Sequence, residues 1–250
     1  MHPNILIPVD FQGDHFALSQ VDHLFAHVLG KRFTGFFLSD FVQPIKAATG
    51  GERLEWQHEI GAQARSANVD FQFMLPVADG FAVVHQSRFA DLAVLGPING
   101  SARRWPLVSL VDFFNRLACP VMLLHETEHP FQDIVVYLDY DVTSLTALKT
   151  FLAFFGNKTA GKNLTILAAS PEDEPAIFFE KCLVAYLQKE FRNVGVVPVN
   201  DKNRELQLLD FAAKANSPLI ITGMAGKELL KNTSWSDRIL GNKIALFYAN

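Results

Sequence analysis

No apolar run in this chain approaches the roughly 18 residues that a membrane-spanning helix needs. The opening Met1-His2-Pro3-Asn4 lacks the basic, apolar and small-residue regions of a secretory signal, so the expected location is cytoplasmic. Cysteine is scarce: Cys119 and Cys182 lie in separate apolar segments, which excludes a disulfide framework or a zinc site and predicts two buried core thiols. There is no block of Lys or Arg, and the formal charge of −4 lacks the electrostatic footprint of a nucleic-acid binder. The sequence contains no G-x-S-x-G, H-E-x-x-H or G-x-G-x-x-G, and no general base beside a metal-binding carboxylate pair. Hydrolase, zincin and dinucleotide readings therefore lack support, and no metal site is expected.

What the chain does have is apolar substance, with 49% hydrophobic against 19% charged residues and 22 phenylalanines among 250 residues. That balance belongs to a chain that folds alone. The apolar residues come as short runs separated by stretches of helical spacing, the rhythm of alternating strands and helices. Asn4–Asp10 reads as a buried strand ending in an acid, followed by Ala17, Val21, Leu24 and Val28 on one helical stripe. Further strands are predicted at Phe33–Leu38, Val69–Met74, Leu92–Leu95 and Val121–Leu124, with helices near 52–66, 80–89 and 107–117.

The order then repeats. Asp133–Asp139 restates the opening strand with its terminal acid 129 residues later, and Gly223 restates Gly96 after 127. Between and beyond them fall a helix at Thr143–Phe155, a strand at Leu164–Ala168, a helix at Glu174–Phe191 and a strand at Val196–Val199. A helix at Asn203–Ala215 and strands at Leu219–Thr222 and Ile244–Tyr248 complete the second copy. The fold class is thus α/β, with two tandem doubly wound domains at 1–126 and 132–250 joined by a polar linker containing Pro130. The copies differ in charge: the first, through Glu128, has 9 basic and 13 acidic residues (net −4), the second 13 of each (net zero). All eight histidines precede the second copy.

In open parallel sheets, ligands bind beyond the carboxyl ends of the strands where strand order reverses. Asp10 and Asp139, and the loops beginning at Gly96 and Gly223, are placed to project there. In Gly223-Met224-Ala225-Gly226-Lys227, backbone amides could cradle an anion with Lys227 as a point charge, or the glycines could simply permit a tight turn. Glu228 stands where a Walker loop needs Ser or Thr. His23 and His27 have ligand spacing on a helix but sit off its apolar stripe and read as solvent-facing. Trp56 and His58 fall among Glu52, Glu55 and Glu59 on a solvated face. Tyr137, Tyr140 and Asp141 could hold a ring or hydroxyl, or serve turn and packing roles.

The pattern resembles the universal stress protein family in its tandem form. The resemblance rests on Ile5-Leu6-Ile7-Pro8-Val9-Asp10, Asp91-Leu92-Ala93-Val94-Leu95-Gly96 and Cys119-Pro120-Val121-Met122-Leu123-Leu124. The second copy carries the weaker Val136-Tyr137-Leu138-Asp139, Pro218–Gly223 and Ile244–Phe247. It implies five-stranded parallel sheets of order 3-2-1-4-5 with helices on both faces. It also implies an internal pseudo-dimer in which Val121–Leu124 meets Ile244–Tyr248, and possible further homodimerisation.

In ATP-binding members an acid after the first strand sits by adenine and ribose, and G-x-x-G, nine residues, then G-S/T holds ribose and phosphates. The acid carries over to Asp10 and Asp139. In the first copy Asn99 occupies the second glycine position, Gly100 follows one residue late, and Ser109-Leu110 replaces the final pair. In the second copy Gly226 matches, while Ser236-Asp237 replaces the final pair, with Thr233 or Ser234 as alternative hydroxyls and Lys227 and Lys231 as compensating charges. The expectation is a non-catalytic stress-response protein with degenerate nucleotide crevices that acts through a partner or ligand. The alternative is an ATP- or AMP-binding regulatory module using mainly the second site, with magnesium if ATP. Slow ATP hydrolysis comes third, and the protein partner is unspecified.

Overall fold

The computed structural model describes residues 3–9, 18–37, 50–74, 81–98, 113, 115–125, 131–138, 142–169, 174–199, 204–223, 239 and 244–249. Two compact units divide the chain, Met1–Glu126 and Thr127–Asn250. No described helix is long and apolar enough to cross a membrane.

The first unit contains β1 (Asn4–Pro8), α1 (Leu18–Leu24), β2 (Arg32–Phe36), α2 (Gly50–Ala67), β3 (Phe71–Phe73), α3 (Phe81–Ser87), β4 (Leu92–Ile98) and β5 (Val121–His125). Its strands pair in parallel in the order β3-β2-β1-β4-β5. The second contains β6 (Asp133–Leu138), α4 (Val142–Thr159), β7 (Asn163–Ala169), α5 (Glu174–Leu187), β8 (Asn193–Val199), α6 (Arg204–Lys214), β9 (Pro218–Thr222) and β10 (Ala245–Tyr248). Its parallel order is β8-β7-β6-β9-β10. Each is the 3-2-1-4-5 sheet that the resemblance implies, and unbroken apolar runs such as Ile5–Ile7 and Leu219–Ile221 are buried on both faces, as parallel strands require. The structure also lengthens β8 by three residues at its start: Asn193, Val194 and Gly195, ahead of the expected Val196–Val199, are held by pairing with β7.

The amino ends of the strands are tied alike in both units. In the first, the Asn4 amide donates to Asp91 Oδ2 (2.8 Å), Thr34 Oγ1 donates to Asn4 Oδ1 (2.8 Å), and Gln72 Nε2 donates to Thr34 Oγ1 (3.2 Å). In the second, the Asn216 amide and Asn163 Nδ2 donate to Asp133 (2.8 and 3.0 Å), and Asn193 Nδ2 donates to Asn163 Oδ1 (2.8 Å). Each ladder fixes strand register at the amino ends of the strands, where a one-residue slip would invert every side chain.

Aromatic rings fill the space between sheet and helix. In the second unit Phe151 of α4 stacks on Phe155 (5.1 Å) and meets Phe131 (5.7 Å) and Phe247 of β10 (5.5 Å) edge-on. Lys162 Nζ lies 4.9 Å from the Phe131 ring centre and donates to the Phe131 carbonyl, while burial first and Lys158 second lower its pKa. In the first unit Phe33 meets Phe25, Phe36 and Phe37 pack the carboxyl end of β2, and Phe71 and Phe73 lie at the two ends of β3 with their rings edge-on. Gly35 belongs to that packing, since a Cβ there would lie 2.5 Å from Phe71 Cζ.

Two sequence expectations change. Cys119 is buried, with desolvation pushing its thiol up to about 12, but Cys182 is exposed on α5. The apolar neighbours of Cys182 in sequence do not all face inward, because α5 is apolar around most of its circumference and only one side can meet the sheet. His23 is exposed as expected, whereas His27 is half-buried and lies beyond the end of α1 at Leu24, so the two histidines do not share one helix.

Candidate functional site

Of the candidate site residues singled out by the sequence, Gly96, Gly223 and Tyr137 lie among those described. Asp10, Asn99, Gly100, Ser109, Asp139, Gly226, Lys227, Ser234 and Ser236 fall outside the described residues, as do Tyr140 and Asp141. The two glycines are not equivalent. The strand β4 runs on to Ile98, so Gly96 sits within it and not at the start of a loop. Its pairing with β5 shifts register between Leu95 and Ile98, at the place where Pro97 has no N–H to offer the ladder. By contrast β9 stops at Thr222, and Gly223 begins the turn.

Gly223 is buried and tightly surrounded. A Cβ at this position would lie 2.5 Å from both the Ser144 amide nitrogen and the Thr143 carbonyl carbon, and would overlap Thr143 Oγ1. The space that a side chain would take is therefore filled by the first turn of α4. Glycine here permits close helix-to-strand approach.

The sheet pleat reveals a second feature. Gly223 faces α4, and so does Phe247, whose ring meets Phe151 of that helix. The register Tyr248↔Thr222 and Val136↔Ile221 then puts Thr222, Tyr248 and Tyr137 together on the opposite face, in one row across β6, β9 and β10. A right-handed crossover carries α6 to that face, where it packs on β9. All three hydroxyls are buried, and Thr222 is 0% exposed with no partner for its Oγ1 among the described residues. β6 and β9 are the strands between which the order reverses.

The first unit offers a direct contrast. Leu6↔Ala93 extended by two residues, together with Leu95↔Leu123, puts Pro8, Leu95 and Leu123 in the corresponding row. All three are buried and none carries a hydroxyl. Tyr137 was visible in the sequence as a candidate, whereas Thr222 and Tyr248 were not. Their signal is the register itself, obtained by carrying the repeat offset across three strands. Among the described residues no group of three or more His, Cys, Asp or Glu is placed to hold a metal.

No protein-family model matches the chain, and no curated protein matches it. Solved structures do. A universal stress protein from Archaeoglobus fulgidus superposes with a TM-score of 0.66 at 16% identity, covering 99% of this chain and 98% of that one. A Pseudomonas aeruginosa protein described as of the universal stress type gives 0.58 at 14%, covering 99% and 93%. The cytoplasmic domain of a prokaryotic cation chloride cotransporter gives 0.52 at 11%, covering 99% and 95%. At these identities the likeness establishes architecture: over nearly its whole length this chain has the α/β fold found in universal stress proteins.

Proposed function

We propose that this chain is a universal-stress-type protein, non-catalytic in itself, that acts by binding a ligand or partner, and that its ligand-responsive site lies in the second unit. The observation that carries the reading is the row Tyr137, Thr222 and Tyr248 at the switch point of the second sheet, where the first unit has Pro8, Leu95 and Leu123. Of the second unit's row, Thr222 is buried with no partner for its hydroxyl among the described residues, and burying a hydroxyl so costs about 1–3 kcal/mol. A row of hydroxyls at the place where open sheets take ligands supports recognition of an uncharged polar moiety, such as the ribose or base of an adenosine-type ligand. The retained Asp139, Gly226 and Lys227 support a phosphate-bearing form of that ligand, AMP or ATP, the latter with magnesium. The degenerate final pairs, Ser109-Leu110 and Ser236-Asp237, argue against phosphoryl-transfer chemistry, because Leu110 cannot donate and Asp237 opposes a polyphosphate with like charge.

The test is thermal unfolding and calorimetry of the full chain with ATP, ADP and AMP, each with and without magnesium, on the wild type and on Asp139→Ala, Gly226→Val and Thr222→Val. The expected result is stabilisation of the wild type that is reduced in all three variants. No shift with any nucleotide at millimolar concentration would remove the nucleotide and leave the partner-binding form of the proposal. Stabilisation equal in the wild type and all variants would move the site out of the second unit.

A further inference from the structure

We propose that Lys162 is a modification site, an amine that accepts the acyl group of an acyl phosphate in preference to the equivalent lysine of the first unit. The two lysines hold the same place in the repeat. Lys31 and Lys162 each follow a glycine of positive φ (Gly30, 66°; Gly161, 87°) in the turn that leads from the first helix of the unit into the next strand. In the first unit Lys31 Nζ forms an ion pair with Asp22 Oδ1 (3.1 Å), and an ammonium tied to a carboxylate has no lone pair to offer. Counting back equally from Lys162 reaches Ala153, so the second copy has no carboxylate at that place.

Lys162 turns instead to the first described residue of its own unit. Its Nζ donates to the Phe131 carbonyl and lies 4.9 Å from the centre of the Phe131 ring, which is itself 1% exposed. The main chain that carries it is fixed on both sides: its amide donates to the Thr159 carbonyl (2.9 Å), and its carbonyl accepts from the Arg192 amide (3.1 Å). The buried Thr159 in turn donates its hydroxyl to the Gly156 and Glu190 carbonyls (2.6 and 3.1 Å). The amine therefore has a set position, unlike the wandering end of a surface lysine.

The charged groups on the elements around it are Lys158 on α4, Asp133 at the start of β6, and Glu190 and Arg192 in the turn after α5. Among the described residues neither carboxylate comes within ion-pair distance of Lys162 Nζ. Both Asp133 oxygens are already taken, Oδ1 by Asn163 Nδ2 and Oδ2 by the Asn216 amide. The Glu190 carboxylate stands beside Gly156, where an added Cβ would be 3.7 Å from its Oε2. Burial and then the like charge of Lys158 lower the Lys162 pKa, with Asp133 acting in the opposite sense. More of Lys162 is therefore neutral near pH 7 than of an ordinary lysine. A neutral amine that donates one hydrogen to the Phe131 carbonyl keeps its lone pair for an electrophile.

The positive neighbour also selects the electrophile, because Lys158 attracts the phosphate of an anionic acyl donor and stabilises it as it leaves. The Lys162 lone pair attacks the acyl carbonyl carbon and the bond from that carbon to the phosphate oxygen breaks. Phosphate departs with the bonding pair and takes up the surplus proton of the nitrogen. The products are an uncharged amide and inorganic phosphate, so the charge beside Phe131 at the entry to the second unit is lost.

The test treats the full chain with acetyl phosphate at pH 7.5 and follows every lysine by mass spectrometry, each rate divided by its value in denaturant to remove sequence effects. Lys162 is expected to be acetylated about fivefold faster than Lys31 or more. Ala153→Asp gives Lys162 the carboxylate that Lys31 has, at an exposed position of α4, and Lys158→Gln removes the like charge. Each is expected to slow Lys162 by about threefold or more and to leave Lys31 unchanged. Circular dichroism checks that both variants remain folded. Lys162 reacting no faster than Lys31, or a lead that survives either substitution, overturns the proposal. No nucleotide enters the reaction, so either result leaves the ligand reading to its own test.

Discussion

The two units share a sheet order and a polar ladder at their amino ends, yet differ at the carboxyl end and on the outer flank. At the carboxyl rim the first unit is apolar, with Pro8, Leu95 and Leu123 in a row and phenylalanines closing β2 and β3, whereas the second holds Tyr137, Thr222 and Tyr248. On the flank the first is polar along α2, and the second is apolar along α5. The lesson is that duplication preserved what sets register and hides the core. Polarity was redistributed at the two places where a parallel α/β sheet can meet other molecules, its carboxyl rim and its open edge.

The largest expected effect tests the core on which this comparison depends. Phe151→Ala removes a ring that touches Phe131, Phe155 and Phe247, and should destabilise the second unit by about 3–5 kcal/mol in denaturant titration. A loss confined to one of two unfolding transitions would show that the units also melt as separate bodies. Next, Gly223→Ala forces a Cβ into the first turn of α4 and should cost roughly 1–3 kcal/mol, read the same way. A neutral result would mean that the turn yields and that the glycine is kept for another reason.

A reciprocal exchange sharpens the rim. Leu95→Thr brings a buried hydroxyl into the apolar row and should cost about 1–3 kcal/mol, whereas Thr222→Val removes one that has no partner among the described residues and should be neutral or stabilising by up to about 1 kcal/mol without ligand. Equal losses in both would erase the distinction between the rims. The smallest effect carries no stability change. One thiol, Cys182, should react with a chromogenic disulfide at pH 8 in the native protein and two after unfolding, because the Cys119 thiol is pushed up to about 12 and shielded.

Much of the fold was legible in the sequence because it rests on local regularities: apolar runs of strand length, helical stripes between them, and the 129-residue recurrence from Asp10 to Asp139. The candidate site was legible only in part. Tyr137 stood beside the repeated acid and was visible, but Thr222 and Tyr248 look in sequence like ordinary strand ends. Gly223 offered two readings, anion cradle or close packing, and the approach of Thr143 and Ser144 supplies the packing reason for a glycine there. Cys182 looked buried because its neighbours are apolar, and which of them face outward depends on how α5 lies on the sheet.

The sequence by itself determined the alternation of strand and helix, the duplication and the charge difference between the copies, since each follows from residue type and spacing along the chain. Only the tertiary structure decided which hydroxyls share a row, which glycine is crowded, and which side of an all-round apolar helix is left uncovered. Those depend on register between strands up to 112 residues apart, such as β6 and β10, and no local pattern encodes it.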